Sequence, residues 1–529
     1  MALEDVLVAL HTVRFLRPRQ VARQVQRRLA GPARRPAHAL AAGIDDVRMM
    51  APIQPPSPEG RVDEQGAVAL LEQPSYDPLG VGWREARDPL WTYTLHYHGW
   101  LAQLSADDAE ATILSWIGEH RFGVGWEPYP TSIRLLHWLA WLQHEGGGRL
   151  SGPRERILRS MAAQLEHLAS HLEEHIDGNH LWTNLAALTA CGLGLRGSLA
   201  DLLVERFGPR LVTTVREQLS SDGVHRERTP SYHCLLAEQL AIVVESARDN
   251  RPDLVKTLEP LLRKMVVAMG SFMHPDGDVA LFGDSQLEAT VTPERLIARV
   301  GTRPAEGHAL APKAGFARRV WGDWTLLWTV GDVGLPWQTG HIHGDALAVE
   351  ISLGDERVIV DAGVGTYVVG AQRHYARSTR AHNTVTVGFG APNQHELWAS
   401  HRIGRRAECT LVQATERRLV GRVRGVSSPG THERTIAPEG DAVVVRDTVE
   451  PWAPATARWY VPRTAKVVVD GGCADVVLAS GARMRIETNA ASLACIASEG
   501  WQGMGRPAPR WCLATAVPEG GLTTRFVHG

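Results

Sequence analysis

The apolar residues of this 529-residue chain change their period near residue 310, and that change limits what the chain can fold into. From about residue 90 to 300 they recur at helical spacing. LRSMAAQLEHLASHLEEHI (158–176) places Leu158, Met161, Leu165, Leu168 and Leu172 on one stripe, and NHLWTNLAALTACGLGL and LLAEQLAIVVESA continue in that style. From about residue 316 the period is two. WTLLWTV, LAVEISL, ERVIVDAG, NTVTVG, DAVVVRDTV and AKVVVDGG are short β-branched runs bounded by Gly, Asp and Pro. Helices followed by strands predict an α+β chain, a helical array and then an antiparallel sheet or sandwich. The join falls in GTRPAEGHALAPKAG (301–315), and residues 36–80 are Pro-rich and expected to be irregular. The expected organisation is an N-terminal segment 1–80, a helical domain 81–305 and a β domain 312–529. A chain of this length is too long for one ordinary core.

Composition narrows the function classes. Apolar residues at 44% and charged residues at 22% describe a soluble globular chain, and a formal net charge of −2 argues against a general nucleic-acid binder. The six cysteines are scattered and none forms a CxxC pair, so neither a cysteine zinc site nor a disulfide framework is expected. The N-terminus, MALEDVLVALHTVRFLRPRQVARQVQRRLAG, does not read as a secretory signal, because acids come first and the arginines follow the apolar run. It reads as one or two amphipathic basic helices, either docked with a solvated face or in contact with a membrane surface or an anionic polymer. No stretch approaches the roughly 20 apolar residues of a spanning helix. The expected compartment is cytoplasmic by default, with export by an unrecognised route left open.

The chemistry concentrates in a few motifs. In GHIHGDALAVEISLGDERVIVDAG (340–363), His341 and His343 precede one strand and Asp361 ends the next, so a hairpin brings them together. In RSTRAHNTVTV, His382 again stands before a strand. Two imidazoles and a carboxylate at strand ends fit a zinc-type site formed by His343, Asp361 and His382, and they equally fit a hydrogen-bonded loop cluster. In the helical half, Asn179 and His180 open an apolar helix, where Asn179 also suits an N-cap. A Pro-led turn in SSDGVHRERTPSYHCLLAEQ delivers Tyr232 at a helix start, and Trp126, Tyr129 and Arg134 gather around the turn in GVGWEPYPTSIRLLHW.

These stretches resemble the heparinase II/III family of polysaccharide lyases, with its alginate-lyase and broad-specificity glycosaminoglycan-lyase relatives. GNHLWTNLAAL, DGVHRERTPSYH, GHIHGDALAVEISLGDERVIVDAG and RSTRAHNTVTV carry the likeness, over roughly residues 85–410. The resemblance implies an incomplete (α/α) toroid followed by an antiparallel β-sandwich, with the active site between them. It implies that Asn179 and His180 grip a uronate carboxylate, that Tyr232 and His341 are the catalytic tyrosine and histidine, and that His343, Asp361 and His382 hold a metal, zinc or another divalent ion such as manganese. A further tyrosine of some relatives corresponds to Tyr367 or Tyr375, with Tyr375 taken as the substrate-side candidate. Trp126, Tyr129, Arg134 and Trp182 are expected to line the cleft, with Arg134 pairing carboxylates or sulfates.

A uronate polymer is cut by β-elimination. The C5 proton lies α to a carboxylate, so donors on that carboxylate stabilise the enolate-like intermediate, a base takes the proton and an acid protonates the leaving O4. Tyr232 is expected to do both steps on one C5 epimer. On the other, His341 is expected to be base and Tyr232 acid. The expected partner is therefore an anionic uronate polysaccharide: a glycosaminoglycan such as hyaluronan, chondroitin or heparan sulfate, or alginate. Two rival readings remain, a uronate C5-epimerase and a non-catalytic polysaccharide-binding or assembly factor. A glycoside hydrolase is disfavoured because no motif places a pair of carboxylates.

Overall fold

The computed structural model describes residues 3–30, 43–48, 51–85, 87–144, 152–287, 291–390 and 392–529. The change of period is a change of architecture: α-helices dominate to Val300, and antiparallel strands follow from Ala309. Two compact units result. One comprises residues 17–218 and 234–263, the other 1–16, 219–233 and 264–529. The expected boundary near 301–315 thus lies inside the second unit, which takes in the helix Pro293–Val300 and the turn before Tyr232.

In the helical unit, Gly178–Gly194 is the central element. It packs against Pro128–His144 and against Ser198–Gln218, and nearly all of its residues are buried. Gly192 makes one of these contacts possible, because a Cβ there would meet the Ala200 carbonyl oxygen at 2.8 Å. The stripe read from the sequence is real: Leu158, Met161, Leu165 and Leu168 are buried on Gly152–Ser170. The basic N-terminus forms two helices, Leu3–Val13 and Pro18–Ala30. Arg17, just before the second, and arginines within it are engaged by acids of the same unit. Arg19 reaches Asp177 at 2.7 Å, Arg17 reaches Glu217 at 2.9 Å, and Arg23 pairs with Glu174. That observation matches the docked-helix alternative. Part of the stretch 36–80 lies outside the described residues. Residues 43–48 and 51–80 hold three two-residue strands, Asp46–Val47, Arg61–Val62 and Val68–Ala69, among turns.

The sheet unit contains a five-stranded meander in the order Ala309–Ala311, Phe316–Trp321, Trp324–Thr329, Val349–Leu353, Glu356–Ile359. An eight-stranded antiparallel sheet and a four-stranded sheet share one apolar core with it, centred on Trp328, Trp459, Leu513 and Phe526. Burying these side chains is the main stabilising term, about 25 cal/mol per Å² of apolar surface. The fully buried Arg434 ties this core to the motif segments. It bonds Asp447 at 2.8 and 3.0 Å and donates to the Leu347 and Asn383 carbonyls at 2.7 and 2.6 Å. The hairpin expected from LAVEISLGDERVIVDAG is present, but its first strand begins at Val349 rather than Leu347. Leu347 sits in a turn at φ +64°, which breaks the extended run. Among the described residues no helix is long and apolar enough to cross a membrane.

Candidate active site

Within the sheet unit, four chain segments meet around His341. The first carries Tyr232 at the start of helix Pro230–Ala247. Arg228 pins that turn to the meander, donating to the Ala314 carbonyl at 2.7 Å, the Gly331 carbonyl at 2.9 Å and Thr329 Oγ1 at 2.7 Å. The second carries Asp284, whose main-chain N–H donates to the His341 carbonyl at 3.1 Å. Gly283 allows this approach: it has φ +59°, and a Cβ would meet the His341 carbonyl oxygen at 2.7 Å. The third is His341–His343 itself, and the fourth carries Tyr367 and Arg373.

The Tyr232 and His341 rings lie 4.0 Å apart, centroid to centroid, with 31° between their planes. The Tyr232 and Tyr367 hydroxyls are 2.9 Å apart and either can donate. Burial first, then Tyr367 and the carboxylates of Asp284 and Glu227, push the half-buried Tyr232 phenol well above its usual range. Tyr232 therefore rests protonated at neutral pH.

His341 is set by Asp284, which accepts its Nδ1–H at 3.0 Å, accepts His343 Nε2–H at 2.8 Å and is bonded twice by Arg373, once at 2.9 Å. Burial opposes the Asp284 charge, but Arg373 and the two imidazoles hold its carboxyl well below the usual range. An ionised carboxylate only accepts, so His341 carries its proton on Nδ1 and points Nε2 the other way. Nε2 is 3.6 Å from Oε2 of the buried Glu227.

The three expected metal ligands are fully buried. His382 Nδ1–H donates to Asp361 Oδ1 at 2.7 Å, and the His343 and His382 rings are 5.3 Å apart. Among the described residues no group of three or more His, Cys, Asp or Glu stands in metal-holding geometry. The same three residues nevertheless each expose a buried polar atom that makes no hydrogen bond: His343 Nδ1, Asp361 Oδ2 and His382 Nε2. Burial lowers the His343 imidazole to about 4, so it is neutral, as a donor must be. Each imidazole also bonds a carboxylate through its other nitrogen, the usual way of aiming a ligating histidine. The donor set, two nitrogens and one oxygen, suits zinc.

The helical unit holds the other expected residues. Asp177 caps helix Gly178–Gly194, the alternative role that Asn179 also suited, and Asn179 is buried within the first turn. His180 Nδ1–H donates to Glu173 at 3.0 Å, and its ring lies 4.7 Å from that of Tyr129. Three expectations of substrate contact are corrected. Arg134 is 0% exposed, donates to Gln164 at 2.8 and 2.9 Å and to the His96 carbonyl at 2.9 Å, and lies 3.9 Å over the Trp116 ring. Trp182 is also 0% exposed, and Trp126 is buried with its indole N–H on the His120 carbonyl. Helical spacing turned these large side chains into the core, where they have no surface to offer a polymer. In the sheet unit, the hydroxyl of the half-buried Tyr375 bonds Ser498 at 2.7 Å, and it is the Tyr367 hydroxyl that meets Tyr232. Asp284, Arg373, Glu227 and Glu173 were not expected at all.

A helix-rich part followed by antiparallel sheets, with a tyrosine ring against a carboxylate-held histidine, defines the class of fold and site. Residues 83–300 match the family model Heparinase II/III N-terminus, and residues 303–516 match Heparinase II/III-like, C-terminal. The chain belongs to the heparinase II/III family. Its fold is similar to that of the solved heparinase III (TM-score 0.67, 16% identity, 88% of this chain and 80% of that one). It is also similar to heparan sulfate lyase HepC from Pedobacter heparinus (TM-score 0.57, 17% identity, 86% and 80%). No curated protein matches the sequence.

Proposed function

We propose that this chain is a polysaccharide lyase that cleaves a uronic-acid polysaccharide by β-elimination. The observation that carries the reading is the ring pair of Tyr232 and His341, in contact at 4.0 Å, with the Tyr232 hydroxyl on Tyr367 and His341 Nδ1 on Asp284. His341 Nε2 takes the C5 proton, and Asp284 stabilises the imidazolium that forms. Tyr232, resting protonated, delivers its proton to O4 as the C4–O4 bond breaks. The acid role needs no prior ionisation of Tyr232, whereas the single-residue route, in which Tyr232 is also the base, does. The high phenol pKa therefore favours substrates on which the two groups divide the work. For Asn179 and His180 the family resemblance alone supports the role of donors to a sugar carboxylate, where such donors stabilise growing enolate charge by roughly 3–4 kcal/mol each.

His343, Asp361 and His382 are proposed to hold one divalent ion, zinc first, supported by their three buried atoms without hydrogen bonds. Such an ion would fix the strand ends beneath His341 and supply no step of the elimination. The names of the similar structures put heparan sulfate first in a substrate panel, followed by chondroitin, dermatan, hyaluronan, alginate and polyglucuronate. Ultraviolet absorbance from an unsaturated uronate product is the expected result. Incorporation of solvent deuterium at C5 without that absorbance would identify an epimerase instead. Binding with neither would leave the assembly-factor reading.

A further inference from the structure

Glu173 takes no part in the chemistry above, yet it is a carboxylate buried in the helical unit, 5% exposed. It lies between helices Gly152–Ser170 and Gly178–Gly194. Its Oε1 accepts His180 Nδ1–H at 3.0 Å, and its Oε2 accepts Asn184 Nδ2–H at 3.1 Å. Its own N–H returns to Asn184 Oδ1 at 2.9 Å. The other acids of this segment pair with arginines, Glu174 with Arg23 and Arg210, and Asp177 with Arg19. Glu173 turns instead onto an imidazole and an amide. Burial alone would raise its carboxyl, but His180 and Asn184 outweigh burial and hold it below the usual range, so it is an anion.

An aromatic ring and further charged groups stand around this segment. The Tyr129 ring lies beside it at 4.7 Å. The Tyr93 hydroxyl bonds Glu127, and Arg27 of the N-terminal helix bonds His175. With Nδ1 pinned to an acceptor, Nε2 on the opposite edge donates a hydrogen bond only when the ring carries both protons. A sugar carboxylate only accepts.

We propose that Glu173 is a positioning residue that fixes His180 by Nδ1 and stabilises its imidazolium, so that this end of the helix selects an anionic sugar carboxylate over a neutral sugar; this rests on the lyase reading. Carboxylate binding is then tied to the protonation of one histidine.

The test uses the full chain in two measurements. The first is the titration of His180 followed by NMR in wild type, Glu173→Gln and Glu173→Asp, with His180→Gln to assign the signal. His180 should hold its second proton to higher pH in wild type than in Glu173→Gln, with Glu173→Asp between them. The second is binding of a saturated hexuronate oligosaccharide across pH in a Tyr232→Phe background, which stops turnover. Affinity should fall about tenfold per pH unit above the His180 titration, and this dependence should flatten in Glu173→Gln, with about tenfold weaker binding at low pH. An His180 titration in wild type at or below that of Glu173→Gln overturns the proposal, as does an unchanged pH profile in the variant. If Glu173→Gln fails to fold, a wild-type His180 that titrates no higher than an ordinary imidazole overturns it equally. If His180 titrates as proposed but no uronate binds at any pH, the lyase reading fails while the Glu173–His180 coupling stands.

Discussion

Two imidazole–carboxylate pairs, one in each unit, have the same bond and different surroundings. His180 and His341 each give an Nδ1–H to a buried carboxylate at 3.0 Å. In the sheet unit Asp284 also answers Arg373 and His343, so its charge is shared among three partners. In the helical unit Glu173 answers an imidazole and an amide, so most of its charge falls on His180. Equal hydrogen-bond lengths therefore do not mean equal electrostatics. What else holds the carboxylate decides how much of its field the imidazole feels.

The comparison breaks most visibly at Tyr232. Tyr232→Phe removes one hydroxyl and keeps the packing, so circular dichroism should be unchanged while elimination falls by on the order of 10²-fold or more on every substrate. A folded variant with near-normal rate removes His341 and Tyr232 from the chemistry and leaves the two pairs without different roles. Next comes stability. Asp284→Asn strands the fully buried Arg373 and should cost about 3–5 kcal/mol in denaturant unfolding. Glu173→Gln keeps one acceptor and one shape, and should cost only about 1–3 kcal/mol. Equal costs would show that both carboxylates carry the same charge load. The proposed ion gives a third measure. Chelation should lower the melting temperature of wild type and leave His343→Ala unchanged, since a bound ion stabilises only the fold that binds it.

A further effect, read against pH, is spread over both units. Burial lowers His120 and His233 to about 4 and His395 to about 3. These groups are neutral in the fold and titrate near 6.5 when unfolded, so below that pH the unfolded chain binds more protons. Stability should be full above about 6.5 and decline as pH falls toward 4, by about 1.4 kcal/mol per pH unit for each proton taken up. Urea midpoints at pH 7, 6 and 5 measure the slope, and a midpoint that rises with acid contradicts it.

Much of this site was legible from spacing because its residues stand at the ends of short strands. His341, His343, Asp361 and His382 were found that way, and Tyr232 from a Pro-led turn. Asp284 carries a comparable signal: it ends the apolar run VALFGD, much as Asp361 ends VIVD. Glu227, Arg373 and Glu173 had no local signal, because their partners come from other elements. Arg373 lies 89 residues from Asp284. The choice between Tyr367 and Tyr375 likewise depends on which hydroxyl meets a helix start more than a hundred residues upstream, and no local pattern encodes that. Arg134 and Trp182 misled because an arginine or tryptophan beside a polar turn looks the same in sequence whether it faces solvent or the core.

The N-terminal helices have a consequence in time. Arg19 waits for Asp177, 158 residues later, and His11 waits for Glu396, 385 residues later. At a synthesis rate of about 5–20 residues per second, the first partner emerges roughly 8–30 s after the arginine and the second roughly 20–80 s after the histidine. Through that interval the arginine-rich amphipathic segment has been made while the acids it pairs with have not.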